Sequence, residues 1–353
     1  MITGKVFAIR IEKLFKTKLV AAAILLSAAT VVDGQRMPNV SQFAKNAVPE
    51  AERTVTLPNA EGSIKFAAVG DTGRGTRVQY ELGTMMAAYQ EKFNYDTIIL
   101  TGDNMYYDQK PEDYVKKFEL PYKALIDRDV KFYASLGNHD EPNQRNYKLF
   151  NMDGREYYKL VKADASFYAL NTVQLDKKQI DWLVSELEKD TSKWKIAFFH
   201  HPPYSSAGRH GSDEKIREAL HPLFVKYGVD VVFTGHDHTY ERIKPMDGIQ
   251  YFVTGAGGEV RKNDLKDRST ITAAGFDTDL SFMIVEIVGD EMHFQSISRT
   301  GATVDKGVIP NRVGESEPKP NAEDPAAVSV TKISLCEEVF ATAAAAGRLA
   351  TQP

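Results

Sequence analysis

Five times between residues 64 and 238, a short unbroken apolar stretch runs straight into a cluster of oxygen- and nitrogen-bearing side chains. The five are IKFAAVGD ending at Asp71, DTIILTGDN ending at Asn104, VKFYASLGNHD ending at Asp140, WKIAFFHH ending at His201 and VDVVFTGHDH ending at His238. Continuous apolar runs of this length fit strands buried on both faces. Helical patterns lie between them. Arg77 to Phe93 is one, and Leu175 to Lys189 carries apolar Ile180, Leu183, Val184 and Leu187. Asp213 to Tyr227 is a third, closed by Gly228 in the manner of a helix C-terminus. The alternation predicts an α/β fold. In open α/β sheets ligands gather beyond the carboxyl ends of the strands. Asp71, Asp103, Tyr106, Asn138, His200, His236 and His238 are therefore expected on one rim.

These seven donors are two carboxylates, an amide, a phenol and three imidazoles, with no sulfur. That is too many for one zinc and about right for two ions sharing a bridge. Taken singly, each has an ordinary explanation. An Asp after a strand is usually a turn or cap residue, GNHD alone is a loop, and a His pair at i, i+2 can be structural. Taken together the ordinary explanations fail, because six of the eight histidines lie in or beside these clusters. His221 and His293 do not, and read as surface or packed residues. The formal net charge of −4 gives no global basic field, so nucleic acid is not an expected partner. An acidic substrate needs a local positive site, which bound metal ions supply.

The 353 residues are 42% apolar and 26% charged, a globular composition. Lys5, Arg10, Lys13, Lys16 and Lys18 precede the 14-residue apolar run Leu19 to Val32. That is short for a membrane span and fits the core of a signal peptide. The expectation is a signal peptide over 1–34, a secreted or periplasmic protein, and no stable span once the signal is cleaved. A leader over 35–60, a catalytic domain over 61–311 and a linker with a tail over 312–353 follow. Cys336 is the only cysteine, which excludes an internal disulfide and a multi-cysteine zinc site. Ile249 to Thr254 and a hairpin from Ser281 to Ser298, turning at Gly289-Asp290, read as antiparallel strands.

In order along the chain stand Asp71-Thr72-Gly73, Gly102-Asp103-Asn104-Met105-Tyr106, Gly137-Asn138-His139-Asp140, His200 and Gly235-His236-Asp237-His238. This ordered set resembles the signature of the purple acid phosphatase branch of the metallophosphoesterases, over roughly residues 64–300. The resemblance implies a four-layer α/β/β/α sandwich of the metallophosphoesterase type. It assigns Asp71, Tyr106 and His238 to a first metal, Asn138, His200 and His236 to a second, and Asp103 to the bridge. Ala197 departs from the family, which usually has Val three residues before the strand-final His. Alignment of the following Pro-Pro-Tyr-Ser-Ser favours His200 over His201 as the ligand and leaves His201 to the substrate side. A phenolate is a hard, charged donor that favours a trivalent ion. The implied cofactors are therefore Fe(III) at the tyrosine site with Fe, Zn or Mn at the other. The alternative is a Tyr106 that only packs, with two divalent ions bound.

His139 and His210 are candidates for contacting phosphate or protonating the leaving alkoxide. Asp140 is expected to orient His139. Arg209 is a candidate bidentate phosphate contact, or else a solvated loop arginine. The expected function is hydrolysis of small phosphorylated substrates, monoesters first, by attack of a metal-bound hydroxide on phosphorus. A phosphodiesterase acting on cyclic nucleotides or nucleotide-derived esters is the alternative within the class. A non-catalytic metal- or phosphate-binding protein is the alternative outside it.

Overall fold

Thirteen strands make two sheets among the described residues, 48–266 and 269–312, of a computed structural model. All of these residues belong to the second of two units, Phe43–Pro353. The expected signal segment, the start of the leader, Cys336 and residues 313–353 lie outside the described residues. The strands are β1 (Ile64–Val69), β2 (Thr97–Leu100), β3 (Lys131–Ala134), β4 (Tyr158–Lys162), β5 (Ala165–Ala169), β6 (Trp194–Phe198) and β7 (Val231–Thr234). Then follow β8 (Tyr240–Ile243), β9 (Gln250–Thr254), β10 (Thr272–Phe276), β11 (Ser281–Val288), β12 (Glu291–Ser298) and β13 (Thr303–Pro310). One sheet runs β13-β12-β11-β1-β2-β3 and the other β10-β8-β9-β7-β6-β5-β4. The strands that carry the clusters pair in parallel: β1 with β2, β2 with β3, and β6 with β7.

Three longer helices are α1 (Arg77–Phe93), α2 (Lys177–Lys189) and α3 (Glu214–Tyr227). The pattern from Leu175 becomes helical at Lys177 because Asp176 is the cap, its carboxylate accepting from Gln179 N at 2.8 Å. Asp213 caps α3 in the same way through Ile216 N, and Gly228 ends it at φ 69°.

Alternate residues of the central strands serve different layers, as period-two geometry requires. Ile196 and Phe198 of β6, with Val231 and Phe233 of β7, join the large core cluster, while Ala197 and Val232 pack with Leu183, Leu187, Leu220 and Phe224 of α2 and α3. Phe66 of β1 meets Phe167 and Phe233 of the other sheet edge-on, at 5.1 and 5.9 Å. Phe66 pairs with Val285, so Phe282 lies on the opposite face of that sheet. There Tyr89 of α1 packs on it at 6.0 Å. The layers are thus α1, sheet, sheet, α2 with α3, the α/β/β/α sandwich expected from the resemblance.

Two differences have simple causes. Ile249 to Thr254 was expected to be antiparallel, but β9 lies parallel to β7 and antiparallel only to β8. Asp247 and Gly248, at φ 48° and 78°, make the tight turn that returns the chain from β8. The second is the β4–β5 hairpin, which interrupts the strand–helix alternation. Residues 48–60, expected as a leader, are tied to this fold. Asn59 N and Ala60 N each donate to the buried Glu286 carboxylate at 2.6 Å, and Thr56 N donates to Gln295 at 2.9 Å.

Candidate metal centre

The loops after β1 and β2 are interlocked through their backbones. Asp71 N donates to Gly102 O at 3.0 Å, Thr72 N to Asp103 O at 3.1 Å and Tyr106 N to Gly73 O at 3.0 Å. Gly73 and Gly137 are required by this closeness. A side chain at the first would fall on the Asn104 carbonyl, and at the second on the Asp103 carboxylate. Asp71, Asp103 and His236 all take left-handed backbone, at φ 57°, 50° and 71°. Non-glycine residues hold that conformation at a cost, and such positions concentrate at functional sites. From the other sheet, His236 N donates to Asp71 Oδ2 at 2.9 Å.

The donor atoms converge as two groups. In the first, the buried Tyr106 hydroxyl lies 3.0 Å from Asp71 Oδ1 and 3.0 Å from His238 Nε2, and those two are 3.5 Å apart. In the second, His200 Nε2 lies 2.9 Å from Asn138 Oδ1 and 3.1 Å from His236 Nδ1. Asp103 Oδ1 is 3.5 Å from His200 Nε2 and also accepts from His139 N at 2.9 Å. Asp71, Asp103 and His200 offer ligand atoms mutually within 4.8 Å.

The proton inventory shows that this set fits metal ions. His200 Nδ1 faces the Thr101 carbonyl at 3.1 Å, and a carbonyl only accepts, so the proton sits on Nδ1. His200 Nε2 therefore turns a bare lone pair toward Asn138 Oδ1 and Asp103 Oδ1, neither of which carries a hydrogen. Tyr106 has one proton for two acceptors. Lone pairs aimed at one another are what a bound cation would stabilise.

The shifted acidities agree. Burial, then the neighbouring Asp103 charge, holds the Asp71 carboxyl well above the usual range. Burial likewise raises Asp103 and the Tyr106 phenol. Burial drives His200 well below its ordinary value. Burial and neighbouring His200 bring His236 to about 2, and burial with the Arg261 and Arg74 charges brings His238 to about 2. The imidazoles are thus held neutral, the form in which an imidazole binds metal, and the carboxylates lack a positive charge to offset their burial.

The remaining expected residues fall around this set. His201 has a ligand-type nitrogen within 4.8 Å of those of His200 and His236, and its Nδ1 lies 3.0 Å from Thr172 Oγ1. The exposed His210 ring lies 4.2 Å from His236, and His139 lies 4.8 Å from Tyr106. Arg209 is exposed beside His210 and helps lower its pKa, after burial and Arg261.

Asp140 does not meet the expectation that it orients the His139 ring. Its carboxylate accepts from the backbone of Gly137, Asn104 and Met105 at 2.8–3.0 Å, and from Gln144 Nε2 at 2.6 Å. It fixes the loop that carries Asp103 and Tyr106. Three further residues close on the centre. Arg74 lies over the Tyr106 ring, Glu259 stands by His238, and Arg261 N donates to His238 O at 3.0 Å. Arg74 directly follows the first motif, and the run to Glu259 and Arg261, YFVTGAGGEVR, is a sixth apolar stretch ending in polar residues.

The profile of the calcineurin-like phosphoesterase family matches residues 64–240, which is half of the chain and spans all seven donors. The chain belongs to that family. Within it, the likeness is to the purple acid phosphatases. Purple acid phosphatase 17 of Arabidopsis thaliana is 26% identical over 255 residues, covering 61% of this chain and 75% of that protein. Among solved structures, purple acid phosphatase PPD1 of yellow lupin superposes with a TM-score of 0.58 at 16% identity, over 76% of this chain and 58% of that one. GAP50, described as the anchor in the inner membrane complex of Plasmodium, superposes with a TM-score of 0.61 at 18% identity, over 78% of this chain and 94% of that one. At these identities the two structures speak to the fold alone. Among the described residues no helix is long and apolar enough to cross a membrane.

Proposed function

We propose that this chain hydrolyses phosphate monoesters at a dinuclear metal centre. Asp71, Tyr106 and His238 would hold one ion, Asn138, His200 and His236 the other, with Asp103 between them. The observation that carries this reading is the Tyr106 hydroxyl, buried and equidistant from Asp71 and His238 at 3.0 Å. A phenol placed there is a ligand, and its negative charge favours a trivalent ion, read here as Fe(III). Bound there, the ions would supply Lewis acidity and the activation of water.

The chain's own residues do the rest. His139, His201 and His210 border the accessible side of the donor set and can hold the phosphoryl oxygens. Burial and the adjacent arginines lower the pKa of His210, so it carries a proton to give the leaving alkoxide chiefly in acid. Arg261 lends positive charge from a third direction, since it lowers the pKa of His236, His238 and His210.

A tyrosinate on ferric iron absorbs in the visible. The purified protein should be pink or purple. Tyr106→Phe should bleach it, and Tyr107→Phe should leave the colour, since Tyr107 is 77% exposed. A colourless wild type, fully active with two divalent ions, would remove the ferric assignment and leave the hydrolase. Turnover of a chromogenic monoester against its diester separates the two substrate classes. Tight metal binding with no turnover of either would make this fold a binding scaffold.

Export is part of the same proposal. Residues 1–34 carry its support in their basic start and apolar core. Protein from the native host should begin between about residues 28 and 36 on N-terminal sequencing. An intact Met1 on the mature protein would overturn it.

A further inference from the structure

Two of the groups that touch Tyr106 and His238 from outside the donor set, Arg74 and Glu259, are joined to each other. The Arg74 guanidinium carbon lies 3.6 Å from the centroid of the Tyr106 ring. That is well inside cation–π range, and the Arg74 side chain is only 14% exposed, so water screens it little. One of its nitrogens donates to the Tyr107 hydroxyl at 2.8 Å, and another is ion-paired with Glu259. Glu259 Oε2 is in turn 3.5 Å from His238 Nδ1, at the outer edge of hydrogen bonding. That nitrogen makes no hydrogen bond among the described residues, and the Glu259 carboxylate is the charged group beside it. With His238 Nε2 as the ligand atom, facing Tyr106 and Asp71, Nδ1 would be the end that carries the proton. A carboxylate at the far nitrogen of a metal-binding histidine fixes its tautomer and orientation and raises its basicity. For His200 in the other group, the corresponding partner is the neutral Thr101 carbonyl.

Resting on the metal assignment above, we propose that Arg74 and Glu259 are positioning residues for the ion at Asp71, Tyr106 and His238. Arg74 holds the Tyr106 ring and lowers the energy of its electrons, and Glu259 holds His238. The two act as one unit because they are paired. Beyond them opens a cleft of about 520 Å³ whose lining includes Arg74, Tyr107, Glu259 and Lys262. Glu259, 49% exposed, both lines that cleft and stands beside His238.

The test uses the full metal-loaded chain, its visible spectrum and its metal content after dialysis against graded chelator. Arg74→Gln removes a cation from beside the phenolate, so the charge-transfer band should move to longer wavelength. Glu259→Gln leaves Arg74 unbalanced, so the band should move to shorter wavelength. That variant should also hold one of its two ions about 10- to 100-fold more weakly, the usual effect of losing such a partner. Arg74→Lys and Glu259→Asp should recover part of each effect, and a thermal melt checks that every variant is folded. A purely structural pair would lower the melting temperature without moving the band or releasing one ion selectively. Folded variants with an unmoved band and wild-type retention of both ions would overturn the proposal. If the wild type is colourless the ferric reading has failed, and the chelator series decides alone. Selective loss of one divalent ion in Glu259→Gln, partly restored in Glu259→Asp, then supports the pair, and unchanged retention overturns it.

Discussion

On the proposed assignment, Asp103 is the residue on which both halves of the centre would depend. Its carboxylate accepts from His139 N, lies by His200 Nε2 and fills the space that a glycine at 137 leaves open. Asp103→Asn should reduce metal content below two ions per chain and abolish turnover. Near-normal turnover in that variant would remove the shared-ligand assignment. The convergence of these seven side chains was legible in the sequence, because polar clusters on strand ends repeat one local pattern. Arg74, Glu259 and Arg261 were not singled out, because what gives them meaning is a neighbour far along the chain. Asp140 shows the same limit from the other side. Adjacency to His139 pointed to the wrong partner, since a side chain at a loop bend can turn to backbone amides 35 residues away, as it does at Met105.

At the scale of elements, the parallel strands and the three longer helices were readable because each carries its own signal: continuous apolar runs, Asp caps and a closing glycine. The β4–β5 hairpin was not. Its outer strand is half-exposed, and its hydrophobic pattern is weak without the sheet beside it. His221 also changes its meaning in the fold. It lies on α3, its Nδ1 is 2.7 Å from the hydroxyl of buried Tyr251 in β9, and its Nε2 is 2.8 Å from Asp247 in the β8–β9 turn. It therefore fastens a helix to a strand and to the turn that precedes it, and none of its bonds goes to the donor set. His221→Ala should leave turnover nearly unchanged while costing about 1–3 kcal/mol of stability, because the Tyr251 hydroxyl loses its partner in a buried site. Denaturant unfolding beside an activity assay separates the two effects. A large loss of turnover at normal stability would contradict this account.

Over the whole described fold, each ion would draw ligands from both sheets: Asp71, Tyr106 and Asn138 from one, His200, His236 and His238 from the other. The ions would then be structural as well as chemical. A ligand present at about a thousand times its Kd adds about 4 kcal/mol. Each kcal/mol is worth about 2–4 °C at this size. Chelation should therefore lower Tm by on the order of 10 °C, and the loss should reverse on adding metal. An unchanged Tm in protein shown to be metal-free would mean that the sheets hold without the ions.

The two groups of donors differ in how they meet solvent. Asp71, Tyr106 and His238 are buried, whereas Asn138 is exposed and His236 only partly covered. On the proposed assignment this sets an order of filling. The inner ion would enter while the chain is still closing around it and afterwards exchange slowly. The outer ion trades with whatever the surroundings hold. A preparation analysed long after synthesis would then carry two histories: the inner metal reports where the protein folded, and the outer one where it has been since.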